Sequence, residues 1–304
     1  MIVVKIKGGL GNQMFQYAMA RKIQLELGID RIGLDIARVN EDRQRDFSLH
    51  HFRLCDSVSV LEENSGGAVA RFQEDLAGRL VSYFVAGRPE AVAAVREKKL
   101  EKLFGLLGIV QKDHYAGVES AALLKLHKKI FINGWFQNAK AMESIRDVLL
   151  SDFESAQEMT REIENTAKQM EGTESVCVHI RRGDYVNHPQ FGVCTDAYYF
   201  RAMDKMAEKL EHPVFYVFSD GMDAVKTLPF SYPVVYDNPG HDNYESLYLM
   251  TKCKHFIISN STFSWWGQFL SRSADKIVMA PERWCNGEDG YRALYSDQWT
   301  LLSV

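Results

Sequence analysis

The chain has 304 residues, of which 36 are basic and 40 acidic, so its formal net charge is −4. Hydrophobic residues make up 46% and charged residues 25%, which excludes a disordered chain and suits one large domain or two ordinary ones. A mildly acidic chain without a block of lysines is also a poor match for nucleic acid, and no nucleic-acid partner is expected.

The cysteines and the apolar segments indicate the compartment. The five cysteines are widely spaced and form no C-x-x-C pair, which argues against a disulfide framework and a thiolate zinc site. We expect reduced, mostly buried thiols. The opening MIVVKIKGG does not resemble a signal peptide, and the longest apolar stretches fall short of the ~20 residues of a membrane span. These features predict a cytoplasmic protein.

The N-terminal half begins with a strand, helix, strand pattern typical of a parallel sheet. A β-branched run predicts a strand over 2–6, and apolar residues at helical spacing predict a helix over 12–27 that closes at Gly28. A strand is predicted over 31–36 and another over 129–132, with helical or irregular chain over 61–128 between them. A charged helical segment follows over 148–171.

A second α/β pattern occupies the C-terminal half. Strands are predicted over 176–180, 214–219, 234–236, 256–259 and 276–281, and helices over 196–210, 245–250 and 262–270. The chain therefore divides into an N-terminal lobe over 1–170 and a C-terminal lobe over 171–304, with a weak boundary between residues 155 and 175.

Ligands of open α/β sheets bind beyond the carboxyl ends of the strands, and four such ends carry unusual residues. The first is GGLGNQMFQYA, where Gly11 lets backbone N–H groups approach a ligand. Its glycines and Asp35 suggest a dinucleotide-binding turn, which Met14 at the third glycine position opposes. A tight turn with Asn12 and Gln13 as helix caps is the alternative.

The second end, VHIRRGDY, carries two adjacent arginines. Arg181 and Arg182 directly after a buried strand predict an anionic ligand, because a guanidinium has paired donors that match phosphate oxygens. Asp184 is expected to orient one arginine or to hold a substrate hydroxyl. An exposed, salt-bridged turn is the alternative. His179 lies within the strand and by itself is typical of a buried core histidine.

The third and fourth ends are FSDG and ISNSTFSWWG. Asp220 could accept from a guanine edge or cap the next helix. Asn260, Ser261 and Thr262 offer amide and hydroxyl groups at a helix start, where backbone amides bind anions. The alternative for this fourth end is a simple helix cap followed by aromatic core residues.

Together the four ends suit a nucleoside diphosphate. The chain has no G-x-x-x-x-G-K-[ST], which disfavours P-loop phosphoryl transfer. It also has no Asp-x-Asp, the usual metal–diphosphate anchor of one large class of glycosyltransferases. Arginine would then neutralise the leaving diphosphate, and neither a metal nor another cofactor is expected.

These segments resemble the bacterial α-1,2-fucosyltransferases of glycosyltransferase family 11. NGWFQNAKAM, YESLYLMTKCKHFIISNS and APERW agree with that family too, in collinear order over nearly the whole chain. The resemblance implies a GT-B-like α/β fold with two Rossmann-type lobes facing a cleft. It also implies metal-independent, inverting transfer of L-fucose from GDP-β-L-fucose to O2 of a terminal β-galactoside, in surface-glycan synthesis.

The resemblance also assigns residues. The C-terminal lobe would bind GDP-fucose and the N-terminal lobe would face the acceptor glycan. The implied catalytic residues are Arg181, Arg182 and Asp184; the donor-binding residues are His179, Ser219, Asp220, Asn260, Ser261, Thr262 and Phe263; the cleft residues are Gly11, Asn12, Gln13 and Trp135. Family members often have a second acid where this chain has Gly221. The motifs place Asp184 and His179 near the chemistry, but either could be structural, and the general base is assigned to neither.

Two other functions fit parts of the sequence. An NAD(P)-dependent oxidoreductase would explain the glycine turn and Asp35 but not the paired arginines. A non-catalytic glycan-binding protein on the same fold would keep the motifs without turnover. Peripheral association with the cytoplasmic face of the inner membrane stays open, although no amphipathic basic helix stands out in the sequence.

Overall fold

The computed structural model describes residues 1–41, 45–61, 67–84, 90–112, 121–183, 190–286 and 290–304. These residues form two compact units, Met1–Ala156 and Gln157–Val304. Each unit is built on its own parallel sheet with helices in the connections. The predicted α/β class with two Rossmann-type units is therefore confirmed.

The first unit contains a five-stranded sheet of order β3-β2-β1-β5-β4, all parallel. Its strands are β1 (Ile2–Lys5), β2 (Ile32–Asp35), β3 (Val58–Leu61), β4 (Ile109–Lys112) and β5 (Ile130–Gly134). Its helices are α1 (Leu10–Leu27), α2 (Ala37–Glu41), α3 (Gly67–Phe84), α4 (Glu90–Leu106), α5 (Ala121–Leu124), α6 (Ala139–Glu143) and α7 (Arg146–Asp152).

The second unit contains a six-stranded parallel sheet of order β11-β10-β9-β6-β7-β8. Its strands are β6 (Glu174–Ile180), β7 (Pro213–Ser219), β8 (Val234–Tyr236), β9 (His255–Ile257), β10 (Val278–Pro281) and β11 (Thr300–Leu302). Its helices are α8 (Arg161–Gly172), α9 (Asp196–Ala207), α10 (Met222–Val225), α11 (Asn243–Lys252) and α12 (Thr262–Leu270).

The helix α1 begins earlier than its apolar spacing predicts. Gly8 has a φ of 75°, which turns the chain out of β1 so that the helix starts at Leu10 and not at residue 12. Its last turn closes on Gly28 in the left-handed conformation, as predicted. Because nearly all of the first half of α1 is buried, including Met14, the helix forms the centre of the first unit.

The segment predicted as helical over 148–171 is two helices separated by a non-helical stretch. α7 ends at Asp152, and α8 starts at Arg161 after Thr160, whose side chain accepts from the Ile163 N–H at 3.3 Å. The two compact units divide between these helices, at Ala156, which lies within the predicted interval of 155–175 and before residue 170. The reason is that α8 packs on β6 and α11 of the second unit.

The buried residues confirm the predicted core. In the second unit, side chains of β6, β7 and α9 pack together. Trp265 and Trp266 are buried, and the Trp265 indole N–H donates to the carbonyl of Leu294 at 2.8 Å. All five cysteines are free thiols, and Cys177, Cys253 and Cys285 are buried. Among the described helices, none is long and apolar enough to cross a bilayer.

Candidate functional site

The register of the second sheet brings three of the predicted strand ends together. Ile180 at the end of β6 pairs with Ser219 at the end of β7, and Val178 pairs with Ile257 of β9. Since the strands are parallel, the segments that follow them leave the sheet at the same edge. This edge carries the arginines, Asp220 and the start of α12.

Asp220 holds the arginine turn. Its Oδ2 lies 3.1 Å from Arg181 Nε, and its Oδ1 accepts from the backbone N–H of Arg182 at 2.8 Å. A Cβ on Gly183 would clash with Asp220 Oδ2, so any other residue there would force the carboxylate to move. The alternative that Asp220 caps the next helix is wrong, because α10 is preceded by Gly221 and has no side-chain cap.

Arg182 is oriented by a second carboxylate. Its guanidinium forms an ion pair with Asp196, the first residue of α9, which is itself capped by Thr195. The side chains of Arg181 and Arg182 keep 17% and 25% of their surface exposed. Both cations are therefore ion-paired, as the salt-bridged alternative predicted, yet each remains partly open to solvent. Asp184 lies outside the described residues.

His179 is a buried, neutral histidine. Its Nδ1 lies 2.9 Å from Ser259 Oγ, and its ring packs against Phe263 with the ring centroids 5.5 Å apart. Burial, reinforced by the charge of Arg181, lowers the pKa of His179 to about 3. An imidazole with this pKa is uncharged at neutral pH and is a poor general base there.

Asn260 forms hydrogen bonds to two loops that are distant from it in sequence. Its Nδ2 donates to the carbonyls of Phe191 at 3.0 Å and Trp284 at 2.8 Å, which uses both amide hydrogens. Burial raises the pKa of the Cys194 thiol to about 12, and this thiol donates to Asn260 Oδ1 at 3.5 Å. These contacts fix the Asn260 side chain, and the donor contact that the resemblance implies for it stays a prediction.

The start of α12 is capped by its own serines. Ser261 Oγ accepts from the Phe263 N–H at 3.3 Å, and Ser264 Oγ donates to the carbonyls of Ser259 and Ser261. The helix-cap alternative is therefore correct for Ser261. Thr262, the first residue of the nine-residue helix, is half-buried and stays a candidate for contact with an anion.

The first unit has a second group of polar side chains, at the ends of β1 and β5. Gln137 Nε2 donates to Asn12 Oδ1 at 2.9 Å, and a Cβ on Gly8 would lie 2.9 Å from Asn12 Nδ2 and 3.3 Å from the Trp135 ring. Lys7 Nζ lies 4.5 Å from the centre of the Trp135 ring. Asn12 and Trp135, both half-buried, are thus neighbours, and their assignment to a cleft stays a prediction.

Gln13 and Gly11 are both buried in the first half of α1. Gln13 is fully buried, and its Nε2 donates to the carbonyls of Gly8 at 2.9 Å and Asp46 at 2.8 Å. Gly11 is buried in the first turn of α1. The cap alternative for Asn12 and Gln13 is wrong, because Gly9 precedes the helix and no side chain caps it.

Lys7 and Gln137 also belong to this polar group, although the sequence did not single them out as candidate site residues. A signal for Gln137 was present, since in extended chain it falls on the same side as Trp135, two residues earlier. Between them Phe136 is buried with a φ of 52°, a conformation that is uncommon outside glycine. No comparable signal existed for Lys7, which follows a strand like many surface lysines.

A family model supports the family resemblance that the motifs indicate. The model described as "Glycosyl transferase family 11" matches residues 95–303. The O-antigen biosynthesis glycosyltransferase WbnK of Escherichia coli is 30% identical over 98% of this chain and 99% of its own length. The alpha-1,2-colitosyltransferase of Escherichia coli is 26% identical, over 95% of this chain and 93% of that protein.

Two further similarities cover a shorter segment and the fold. Human galactoside alpha-(1,2)-fucosyltransferase 1 is 35% identical over 34% of this chain and 31% of its own length. The solved structure of POFUT1 in complex with GDP shares 12% identity and a TM-score of 0.50, over 91% of this chain and 98% of that one. This likeness concerns the fold alone.

Proposed function

This chain belongs to glycosyl transferase family 11, and on that premise we propose that it is a galactoside α-1,2-fucosyltransferase. In this proposal it transfers L-fucose from GDP-β-L-fucose to O2 of a terminal β-galactoside, with inversion and without a metal ion. The acceptor would belong to a surface glycan, and the reaction would take place in the cytoplasm.

The main support for the proposal is the pair of ion-paired arginines after β6. Arg181 and Arg182 follow β6 at the edge where β7 and β9 also end, each paired with a carboxylate and each partly exposed. Asp220 and Asp196 orient the guanidiniums before any ligand arrives. A guanidinium oriented in this way is preorganised to stabilise charge that develops on a diphosphate.

The donor sugar and the linkage come from the relatives. The human relative is named as a galactoside alpha-(1,2)-fucosyltransferase, and an Escherichia coli relative as an alpha-1,2-colitosyltransferase. Both names state an α-1,2 linkage, but they differ in the sugar. Fucose is therefore the first donor to test, against other nucleotide sugars.

The reaction is a single displacement. The acceptor hydroxyl attacks the anomeric carbon of fucose while the bond from that carbon to the GDP oxygen breaks, through an oxocarbenium-like transition state. Negative charge grows on the β-phosphate, where Arg181 or Arg182 stabilises it more strongly than in the ground state. Attack on the face opposite GDP converts the β-linked donor into an α-linked product.

The acceptor proton needs a base, and His179 does not suit that role. Its low pKa leaves it a weak proton acceptor, and Ser259 already contacts its Nδ1. Asp184 remains the candidate base among the residues that the sequence singles out.

The other functions find less support. Asp35, which an oxidoreductase would use to bind the ribose, is buried, and its Oδ1 accepts from the Ala37 N–H at 3.1 Å. Met14 is fully buried against the sheet, where a dinucleotide-binding turn has glycine. GDP release that depends on a β-galactoside would exclude a non-catalytic glycan-binding protein.

Substitution of the arginines tests the proposal. Arg182→Ala is expected to lose nearly all turnover and Arg181→Ala much of it, since losing one preorganised donor costs about 10²–10³ in rate, or ~3–4 kcal/mol. Arg161→Ala is the matched control, because Arg161 is an exposed arginine of the same unit. The measurements are release of the nucleoside diphosphate from each nucleotide sugar and the anomeric configuration of the product by NMR.

The outcomes separate the alternatives. Turnover near the unsubstituted level in both Arg181→Ala and Arg182→Ala would overturn the role of the arginines. Tight NAD(H) binding with none of GDP would instead favour the oxidoreductase. A donor other than GDP-fucose used at a higher rate would keep the reaction class and correct the sugar.

A further inference from the structure

The outer face of α4 exposes a row of apolar side chains. Val92, Val95, Leu103 and Leu106 are all exposed, and Leu106 keeps 58% of its surface open to solvent. On the opposite side of the helix, Phe104 is buried in a small core with residues of α3. α4 is therefore apolar on two sides, of which only one packs within the unit.

Two exposed residues from neighbouring segments extend this row of apolar side chains. Arg96 donates to the carbonyl of Phe84 at 3.0 Å, which brings the adjacent Tyr83, 76% exposed, next to α4. At the other end, a Cβ on Gly108 would lie 2.8 Å from His127 Cγ, so Leu126, 81% exposed, lies near the end of the helix. We call the outer face of α4 together with Tyr83 and Leu126 the α4 surface.

Lysines lie among these apolar side chains. Lys99 and Lys102 are exposed on the same side of α4, and Lys125 and Lys128 flank Leu126. The acidic Glu101 is buried. The charged side chains that the structure describes on the α4 surface are therefore basic, in a chain whose formal net charge is −4. Lysine stems can lie along apolar surface while their amines extend to charged groups beyond it.

We propose that the α4 surface binds the headgroup region of an anionic lipid bilayer. Exposed aliphatic and aromatic side chains interleaved with lysines are the composition of helices that lie in the plane of a membrane interface. A second copy of the chain fits less well, because a two-fold contact would pack two surfaces that both carry exposed lysines against each other.

The sequence did not reveal this surface for a physical reason. An interfacial helix is normally recognised by one apolar face opposite one polar face. In α4 the buried face around Phe104 and the exposed face around Leu106 lie on opposite sides, so their contributions cancel in the sequence pattern. The structure separates them because it identifies which face is packed.

Vesicle co-sedimentation of the full chain tests the proposal. We expect binding to vesicles of equimolar phosphatidylglycerol and phosphatidylcholine, weakened by salt, and little binding to phosphatidylcholine alone. Replacing Leu103 and Leu106 together by Ser should reduce partitioning at least about tenfold. Replacing Lys99 and Lys102 by Gln should reduce it about fivefold per lysine, and only on the anionic vesicles.

Two controls come from the second unit. Lys168→Gln and Val235→Ser change an exposed lysine and an exposed apolar residue there and should leave vesicle binding unchanged. Because the substituted side chains are exposed, thermal unfolding should be close to that of the unsubstituted chain. Turnover on a soluble acceptor should also persist in these variants. Vesicle binding is measured without turnover, so its outcome does not depend on the proposed function.

Two results would overturn the proposal. One is that the full chain does not bind the anionic vesicles, or that the leucine and lysine variants bind them as well as the unsubstituted chain does. The other is self-association in solution that the leucine substitutions abolish, since this would assign the α4 surface to a second copy of the chain.

Discussion

At the scale of single residues, His179 makes the folded chain sensitive to acid. Its pKa is lowered to about 3, mainly by burial and then by the charge of Arg181, whereas the ordinary value is 6.5. Below pH 6.5 the unfolded chain therefore takes up a proton that the folded chain does not. The stability contributed by neutral His179 is complete above pH 6.5 and decreases as the pH falls toward about 3.

Thermal unfolding against pH measures this effect. We expect the free energy of unfolding to fall by up to about 1.4 kcal/mol per pH unit below 6.5 because of His179. The variant His179→Asn keeps an amide that can contact Ser259 but does not titrate, so its stability should fall less steeply between pH 7 and 5. Parallel curves for the two proteins would contradict the assignment.

Gln137 is the residue that orients Asn12. Its Nε2 donates to Asn12 Oδ1, which leaves the Asn12 amide hydrogens directed elsewhere. We expect Gln137→Met to lower kcat about 5- to 30-fold, the effect of losing one or two kcal/mol of hydrogen bonding. In the background Asn12→Ala the same substitution should have little further effect, because its target is gone.

A double-mutant cycle separates this role from general packing. Additive losses in Gln137→Met and Asn12→Ala, measured as turnover at saturating donor and acceptor, would show that the two residues act independently. Melting temperatures of both single variants close to that of the unsubstituted chain would exclude unfolding as the cause.

At the scale of elements, the turn after β6 depends on close contact with the end of β7. Gly183 allows this contact, since a Cβ there would displace the Asp220 carboxylate from Arg181 and from the Arg182 backbone. We expect Gly183→Ala to lower turnover by up to about 10²-fold through misplacement of the arginines.

Gly172→Ala provides the matched control. A Cβ at Gly172 meets nothing within 4 Å, and the residue lies at the end of α8. This substitution should leave turnover unchanged and stabilise the chain by up to about 1 kcal/mol. Comparable turnover in Gly183→Ala and the control would contradict the role of the turn.

At the scale of the whole molecule, the proposed reaction predicts activity that does not depend on a metal ion. Among the described residues, no group of three or more histidine, cysteine or acidic side chains could hold a metal ion. We expect full transferase activity in EDTA, because arginine is proposed to neutralise the leaving diphosphate. A strict Mn²⁺ requirement, measured by titrating the metal back after dialysis against chelator, would count against the arginine mechanism.

The central strands of both sheets were predictable from the sequence, and most of the edge strands were not. β1, β2 and β6 are short apolar runs that are buried on both faces, so hydrophobicity alone marks them. β3, β4 and β11 lie at sheet edges and were missed. β3 illustrates the reason: its middle residues are exposed, so no buried pattern marks it.

The sequence by itself determined the α/β class, the strand ends that carry polar residues and the family. It could do so because buried strands, glycine turns and short sequence motifs are local features of the chain. Only the tertiary structure decided what each polar side chain contacts: Asp220 holds the arginine turn, Asn260 ties loops, and Gln137 holds Asn12. These contacts join residues far apart in the chain, and their geometry follows from strand register and packing, which no local pattern encodes.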